Sequence, residues 1–287
     1  MKKNFLFSIL ILGLFSCKEN SNLKNTLAIS DSETDANTNT NVADSTLQQR
    51  FATPDGFTRT QVADDSFAAY LRNLPLKPKG SKVLYYNGAE KNKPNVYCAV
   101  VNLPIGKLDL HQCADAVMRL RAEYLYDNKR YNEIHFILMN GFDADFSKWT
   151  EGYRIKVNGN NTSWAKTAEA SDSYDIFWSY MEFVFTYAGT LSLEKQLTSK
   201  PMNQLEIGDV LIRGGAPGHA VIVVDKAYNS TTKEVVYMLA QSYMPAQETQ
   251  ILVNPNNEKY SPWYVLNNDA VIQTPEWDFE NTQLRSF

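Results

Sequence analysis

The chain has few of the residues that most site chemistry depends on: 287 residues include three cysteines and three histidines. The histidines lie in three separate contexts and the thiols on separate elements, so neither a zinc site nor any other metal site is expected. No run of Lys or Arg occurs and the formal net charge is -4. Nucleic acid binding, which leaves a basic stripe or patch, is therefore not expected. Gly214-Gly215 is not followed by Lys-Ser/Thr, so no phosphate loop is indicated, and no cofactor is expected. The longest apolar run, Phe5 to Phe15, is too short to span a bilayer. Aromatic residues, in contrast, are plentiful: 16 Tyr, 14 Phe and 5 Trp in a chain that is 44% hydrophobic. That supports a sizeable core and excludes a chain that stays disordered throughout.

The first residues, MKKNFLFSILILGLFSC, combine a basic start (Lys2, Lys3) with a short apolar stretch and Ser16-Cys17, the layout of a secretory signal. The ending Leu14-Phe15-Ser16-Cys17 resembles a bacterial lipobox, which implies acylation of Cys17 and export to the cell envelope. The protein would then be anchored to a membrane through that lipid, on the periplasmic side or at the cell surface. An ordinary signal peptide with a chance cysteine is the alternative. Residues 18–50 are rich in Asn, Ser, Thr and Asp with almost no periodic apolar residues, and read as a tether reaching about 30 Å. Residues 51–287 read as one globular domain, without internal repeat or second linker.

Hydrophobic periodicity predicts helices over 64–74, 109–127 and 172–187. Strands are predicted over 82–86, 95–101 and 133–139, then over 209–213, 220–225, 235–241 and 249–253. Helices early and in the middle with antiparallel strands late give an α+β class. Asp225 reads as the residue that closes its strand.

Thiol catalysis needs a cysteine whose thiolate is stabilised, a histidine to take its proton, and a polar group to orient that histidine. Cys113 lies about one turn into the helix that Asp109 would cap, close to a positive dipole end. The competing reading is a buried cysteine on an apolar stripe. In GDVLIRGGAPGHAVIVVD, His219 follows a Pro217-Gly218 turn and opens a strand apolar on both faces. The next strand ends with Gln241, whose amide can fix an imidazole tautomer. His111, two residues before Cys113, reads as a surface histidine, and His135 as a strand residue with a satisfied ring. Asp143 and Asp145 read as turn residues rather than cation ligands. Cys98, in VYCAVV, reads as a packing residue, although a disulfide between Cys98 and Cys113 stays open in an exported protein.

The blocks QCADAVMRL, GDVLIRGGAPGHAVIVVD and VVYMLAQSY resemble the layout of papain-like cell-wall amidases, the NlpC/P60 and CHAP groups. That resemblance implies a papain-like α+β fold in which the helix carrying Cys113 packs on an antiparallel sheet. It also implies Cys113 as nucleophile, His219 as base and Gln241 as orienting group, with an insertion between Cys113 and His219. Gln112 would help an oxyanion hole beside the Cys113 backbone N–H. The expected activity is that of a thiol amidase or peptidase on envelope peptides such as peptidoglycan stems. A non-catalytic envelope lipoprotein that binds glycan, peptide or a protein partner is the rival. Metal-dependent hydrolysis at His219 with acidic partners is a third reading. LRNLPLKP, LHQCADAVMRLRAEYL, KWTEGYR, GHAVIVVD and LAQSYMPAQ also resemble the blocks of an uncharacterised lipoprotein family, domain of unknown function 4846. That likeness runs from Phe51 to Trp263 and implies no activity.

Overall fold

The architecture follows from one long strand. In HAVIVVDKAY the five residues Ala220 to Val224 are all apolar, so neither face can be left to water there, and both are covered. The computed structural model describes residues 46–287. In it His219–Tyr228 lies inside a nine-stranded antiparallel sheet. Across the sheet the order is Tyr97–Val100, Gln250–Leu252, Val235–Gln241, His219–Tyr228, Val210–Arg213, Leu284–Ser286 and Thr198–Ser199. Thr58–Arg59 pairs with the far end of the central strand, and Tyr264–Val265 with the start of Val235–Gln241.

Alternation along the central strand sorts its side chains into two cores. Ala220 and Ile222 join Ala114, Val117, Met118, Phe177 and Tyr180 of the helices Cys113–Asp127 and Tyr174–Tyr187. Val221 and Val223 point to the other face, against Ile272, Phe279 and Leu284 of the C-terminal segment. Helices therefore cover one face, and the hairpin of Val271–Gln273 with Asp278–Glu280 covers part of the other. The α+β class holds.

A register shift beside Met238 and Leu239 changes this alternation. Val223 pairs with Leu239 and Asp225 with Met238, so one extra residue is accommodated on the central strand. The bulge swings Asp225 to the helical face. There it is fully buried, 2.7 Å from Arg59 Nε and 2.7 Å from Arg72 Nε of the helix Phe67–Arg72. Asp225 does not close its strand, which runs three residues further. It is instead the anchor of a buried two-arginine clamp.

Several sequence boundaries shift for local reasons. The domain reaches back beyond residue 51, because Leu47–Arg50 is a short helix with Leu47 fully buried and the Leu47 N–H bonded to Leu74 O. The segment 82–86 forms only isolated bridges, Leu84 with Glu90 and Tyr85 with Gln247, around the Asn87-Gly88 turn with Gly88 at φ +83. The hairpin Tyr153–Asn158 with Asn161–Lys166 was not expected. Its strands mix polar and apolar residues without a clean period. The proposed signal peptide, Cys17 and nearly all of the tether lie outside the described residues. Among the described residues, no helix is long and apolar enough to cross a membrane.

Candidate functional site

Helix geometry fixes the first component. The sequence predicts a helix capped by Asp109, with Cys113 a turn inside it; the helix instead runs Cys113–Asp127, and Cys113 is its first residue. Gln112 is the N-cap, in an extended conformation at φ -98, and its backbone N–H donates to Asp115 Oδ2 at 3.0 Å. Asp109 Oδ1 is occupied elsewhere, accepting from the Ala246 N–H at 2.7 Å, so it caps nothing. The consequence favours chemistry. A first-turn cysteine sits among unpaired backbone N–H groups, whereas one turn further in those groups are already used.

The thiol is half-buried and lies against the backbone N–H groups of Ala114 and Ala220. Burial pushes its pKa up to about 11, and the Asp115 carboxyl adds to the rise, outweighing these backbone contacts. Cys98 and Cys113 are both free thiols. Cys98 is not the packing residue expected: it is exposed, with its sulfur 3.6 Å from Ile251 O.

His219 is the second component. Its Nε2 lies 2.9 Å from Gln241 Oε1, and the ring is enclosed by Tyr243, Trp277 and Phe279. Burial lowers its pKa to about 4, so the imidazole is neutral at physiological pH. Among the described residues its Nδ1 has no hydrogen-bond partner, and the residue as a whole is 1% exposed. Cys113 and His219 line one cleft of about 390 Å3, together with Gln112, Asp115, Thr190, Gly218 and Tyr243. Among the described residues no hydrogen bond joins the Cys113 thiol to the His219 ring. The ring is held by Gln241.

Gln241 is buried at the end of its strand, and its Nε2 donates to Glu276 Oε2 at 2.7 Å. Glu276 is gripped in turn by Lys91 at 2.5 Å and Lys93 at 3.1 Å. Sequence reasoning missed Glu276, Trp277 and Lys91. They come from irregular segments without periodicity, and only folding carries Trp277 to the His219 ring and Glu276, held by Lys91, to Gln241. Gln112, the oxyanion candidate, lines the cleft, and its Nε2 is 3.4 Å from Asp109 Oδ1.

The other expectations resolve individually. His111 is not a surface residue. It is 1% exposed, stacks edge-on against Phe185, and places Nδ1 3.1 Å from Gln247 O. Burial lowers its pKa to about 3, with nearby Arg119 acting in the same direction. A position just before the helix turned it inward, where reasoning from helical spacing turned it out. His135 stands on a strand with Nδ1 3.1 Å from Asp143 Oδ1, and Asp145 caps the helix Phe146–Thr150 through the Ser147 N–H. Among the described residues no group of three or more His, Cys, Asp or Glu is placed to hold a metal ion.

The resting state is thus a neutral thiol beside a neutral imidazole. Alkylation of Cys113 by iodoacetamide, followed on its tryptic peptide by mass spectrometry, should be slow at pH 7. It should climb about tenfold per pH unit toward pH 11. A rate already at its plateau by pH 6 would show a preformed ion pair and contradict this picture.

An α+β scaffold with a first-turn cysteine, a strand-end histidine and one cleft between them defines a class of candidate thiol sites. The chain belongs to the family described as domain of unknown function (4846), whose model matches residues 47–286. Neither a curated protein nor a solved structure matches the chain.

Proposed function

We propose that the cleft is the active site of a papain-like thiol hydrolase, related in layout to the NlpC/P60 and CHAP groups, acting on amide bonds of envelope peptides such as peptidoglycan stems. The observation that carries this reading is the unpartnered Nδ1 of His219, a residue that lines the same cleft as a cysteine at a helix N-terminus. Gln241 occupies Nε2, which leaves Nδ1 as the nitrogen able to accept a proton. Cys113 would attack the carbonyl carbon as His219 takes its proton. The imidazolium would then return that proton to the leaving amine, and water would release the acyl group by the reverse sequence. Because thiol and imidazole are both neutral at rest, the proton would move during attack. The Cys113 backbone N–H and the Gln112 side chain are the candidate donors to the oxyanion.

In this reading the protein is exported and held at a membrane through lipid on Cys17, with the segment up to the domain acting as its tether. Mass analysis of the mature N-terminus tests that part, and a mature chain that keeps residues 1–16 would end it. For the chemistry, turnover of peptidoglycan-derived peptides is compared between the wild type and Cys113→Ala. Loss of turnover to background is expected, and unchanged turnover would remove Cys113 from the mechanism.

The resting separation of sulfur and ring, with the thiol held high by burial, favours a second reading. The same cleft would then bind an envelope peptide or glycan without cleaving it. Saturable binding of those peptides by wild type and Cys113→Ala alike, with no product from either, selects this alternative.

A further inference from the structure

The chain of contacts behind His219 has a direction that chemistry imposes. A carboxylate can only accept hydrogen bonds, so the group that Gln241 turns toward Glu276 must be its NH2, consistent with the 2.7 Å contact. The amide oxygen must then face His219, 2.9 Å from Nε2. An oxygen can only accept there, so Nε2 must carry the proton and Nδ1 must be bare. The assignment of amide and imidazole therefore needs no hydrogen to be seen; it follows from the charge on Glu276.

That charge is secured in its turn. Glu276 is 5% exposed at its side chain, yet two lysines hold it ionised: Lys91, 1% exposed, at Oε2 and Lys93 at Oε1. Burial alone would push the carboxyl up, but its pKa is lowered because the lysine contacts together outweigh desolvation. Lys91 also reaches Gln250 Oε1 at 3.3 Å, and Gln250 Nε2 donates to Gln247 Oε1 at 2.9 Å. The acid is therefore fixed in a buried polar network and has little room to turn away.

We infer that Glu276, clamped by Lys91 and Lys93, is a positioning residue: it locks the Gln241 amide and through it the tautomer of His219. The tautomer stands on these contacts alone, while its importance for catalysis rests on the thiol-hydrolase reading above. Glu276 does not line the cleft; its hydrogen-bonded path to His219 runs through Gln241, and its charge acts on the imidazole in addition.

Long-range proton–nitrogen NMR of the full-length, nitrogen-15-labelled chain tests this at pH 7. His219 is identified by comparison with His111→Gln and His135→Gln variants. The wild type is expected to show His219 protonated on Nε2. In Glu276→Gln the new amide can face Gln241 with either end, so Gln241 is free to flip. The Nδ1-protonated form should then rise about fivefold, the worth of roughly one neutral hydrogen bond. A wild-type His219 protonated on Nδ1 would overturn the inference, and so would a folded Glu276→Gln protein with an unchanged tautomer ratio. Removing Glu276 leaves the Lys91 charge buried, so the variant could fail to fold; the wild-type measurement then decides alone. The same spectrum of Cys113→Ala should show the wild-type tautomer, so failure of the thiol reading leaves this result standing.

Discussion

At pH 8 the Asp115→Asn protein is expected to be more stable than the wild type by roughly 2–4 kcal/mol, and at pH 4 the two should be nearly equal. Asp115 sits in the first turn behind Cys113, with Oδ2 accepting the Gln112 N–H and Oδ1 buried without a partner. Burial raises its pKa to about 8 from an ordinary 3.8. The folded state thus keeps a proton that the unfolded chain releases above about pH 4. Stability contributed by this group falls as pH rises from there to about 8 and is level beyond. His111 and His219 act in the opposite sense: lowered in the fold to about 3 and about 4, they lose stability as pH falls below 6.5. Between about pH 6.5 and 8 the histidines no longer change, which isolates the Asp115 slope. Asparagine keeps an oxygen for the Gln112 N–H but carries no charge to bury. Urea unfolding of both proteins across this pH range checks the prediction. Parallel curves would show that Asp115 ionises freely in the folded protein. Ionised Asp115 also raises the Cys113 thiol, so the neutral acid favours formation of a thiolate beside it.

Asp225→Ala should destabilise the fold by about 3–5 kcal/mol, the usual cost of leaving a buried charge without its partner. Asp225 has no exposed surface, and the side chain of Arg72 is only 7% exposed. Removing the carboxylate takes one partner from each of two guanidinium groups and an acceptor from the Lys226 N–H, which reaches Oδ1 at 2.8 Å. Arg72 keeps its contacts to Thr60 O and Lys226 O, which satisfy hydrogen bonds but supply no opposing charge. The clamp ties Thr58–Arg59 and the helix Phe67–Arg72 to the far end of the central strand, so the loss should be cooperative. A lower urea midpoint with an unchanged slope is the expected signature. A midpoint within experimental error of the wild type would mean that both arginines find other partners.

The sequence by itself determined the scaffold wherever periodicity is strong. Cys113 to Tyr124 repeats at helical spacing, and the helix runs Cys113–Asp127. Val235 to Ala240 is a continuous apolar run that ends at the polar Gln241, and the strand has those bounds. His219 and Gln241 could be associated from sequence because adjacent antiparallel strands, joined by a short turn, place their ends side by side; their 2.9 Å contact follows. Tertiary structure decided what these residues can do. A difference of one turn in the start of a helix moved Cys113 among unpaired N–H groups, and it depends on Asp109 being drawn away to Ala246. One bulge turned Asp225 from a strand terminus into a buried anchor. Glu276 reaches the back of Gln241 from an irregular segment and is held there by Lys91, 185 residues away in sequence. The physical reason is common to all of these. Local pattern encodes which face of an element is apolar, but the protonation of a thiol, a carboxyl or an imidazole is set by the charges and burial that distant segments bring to it.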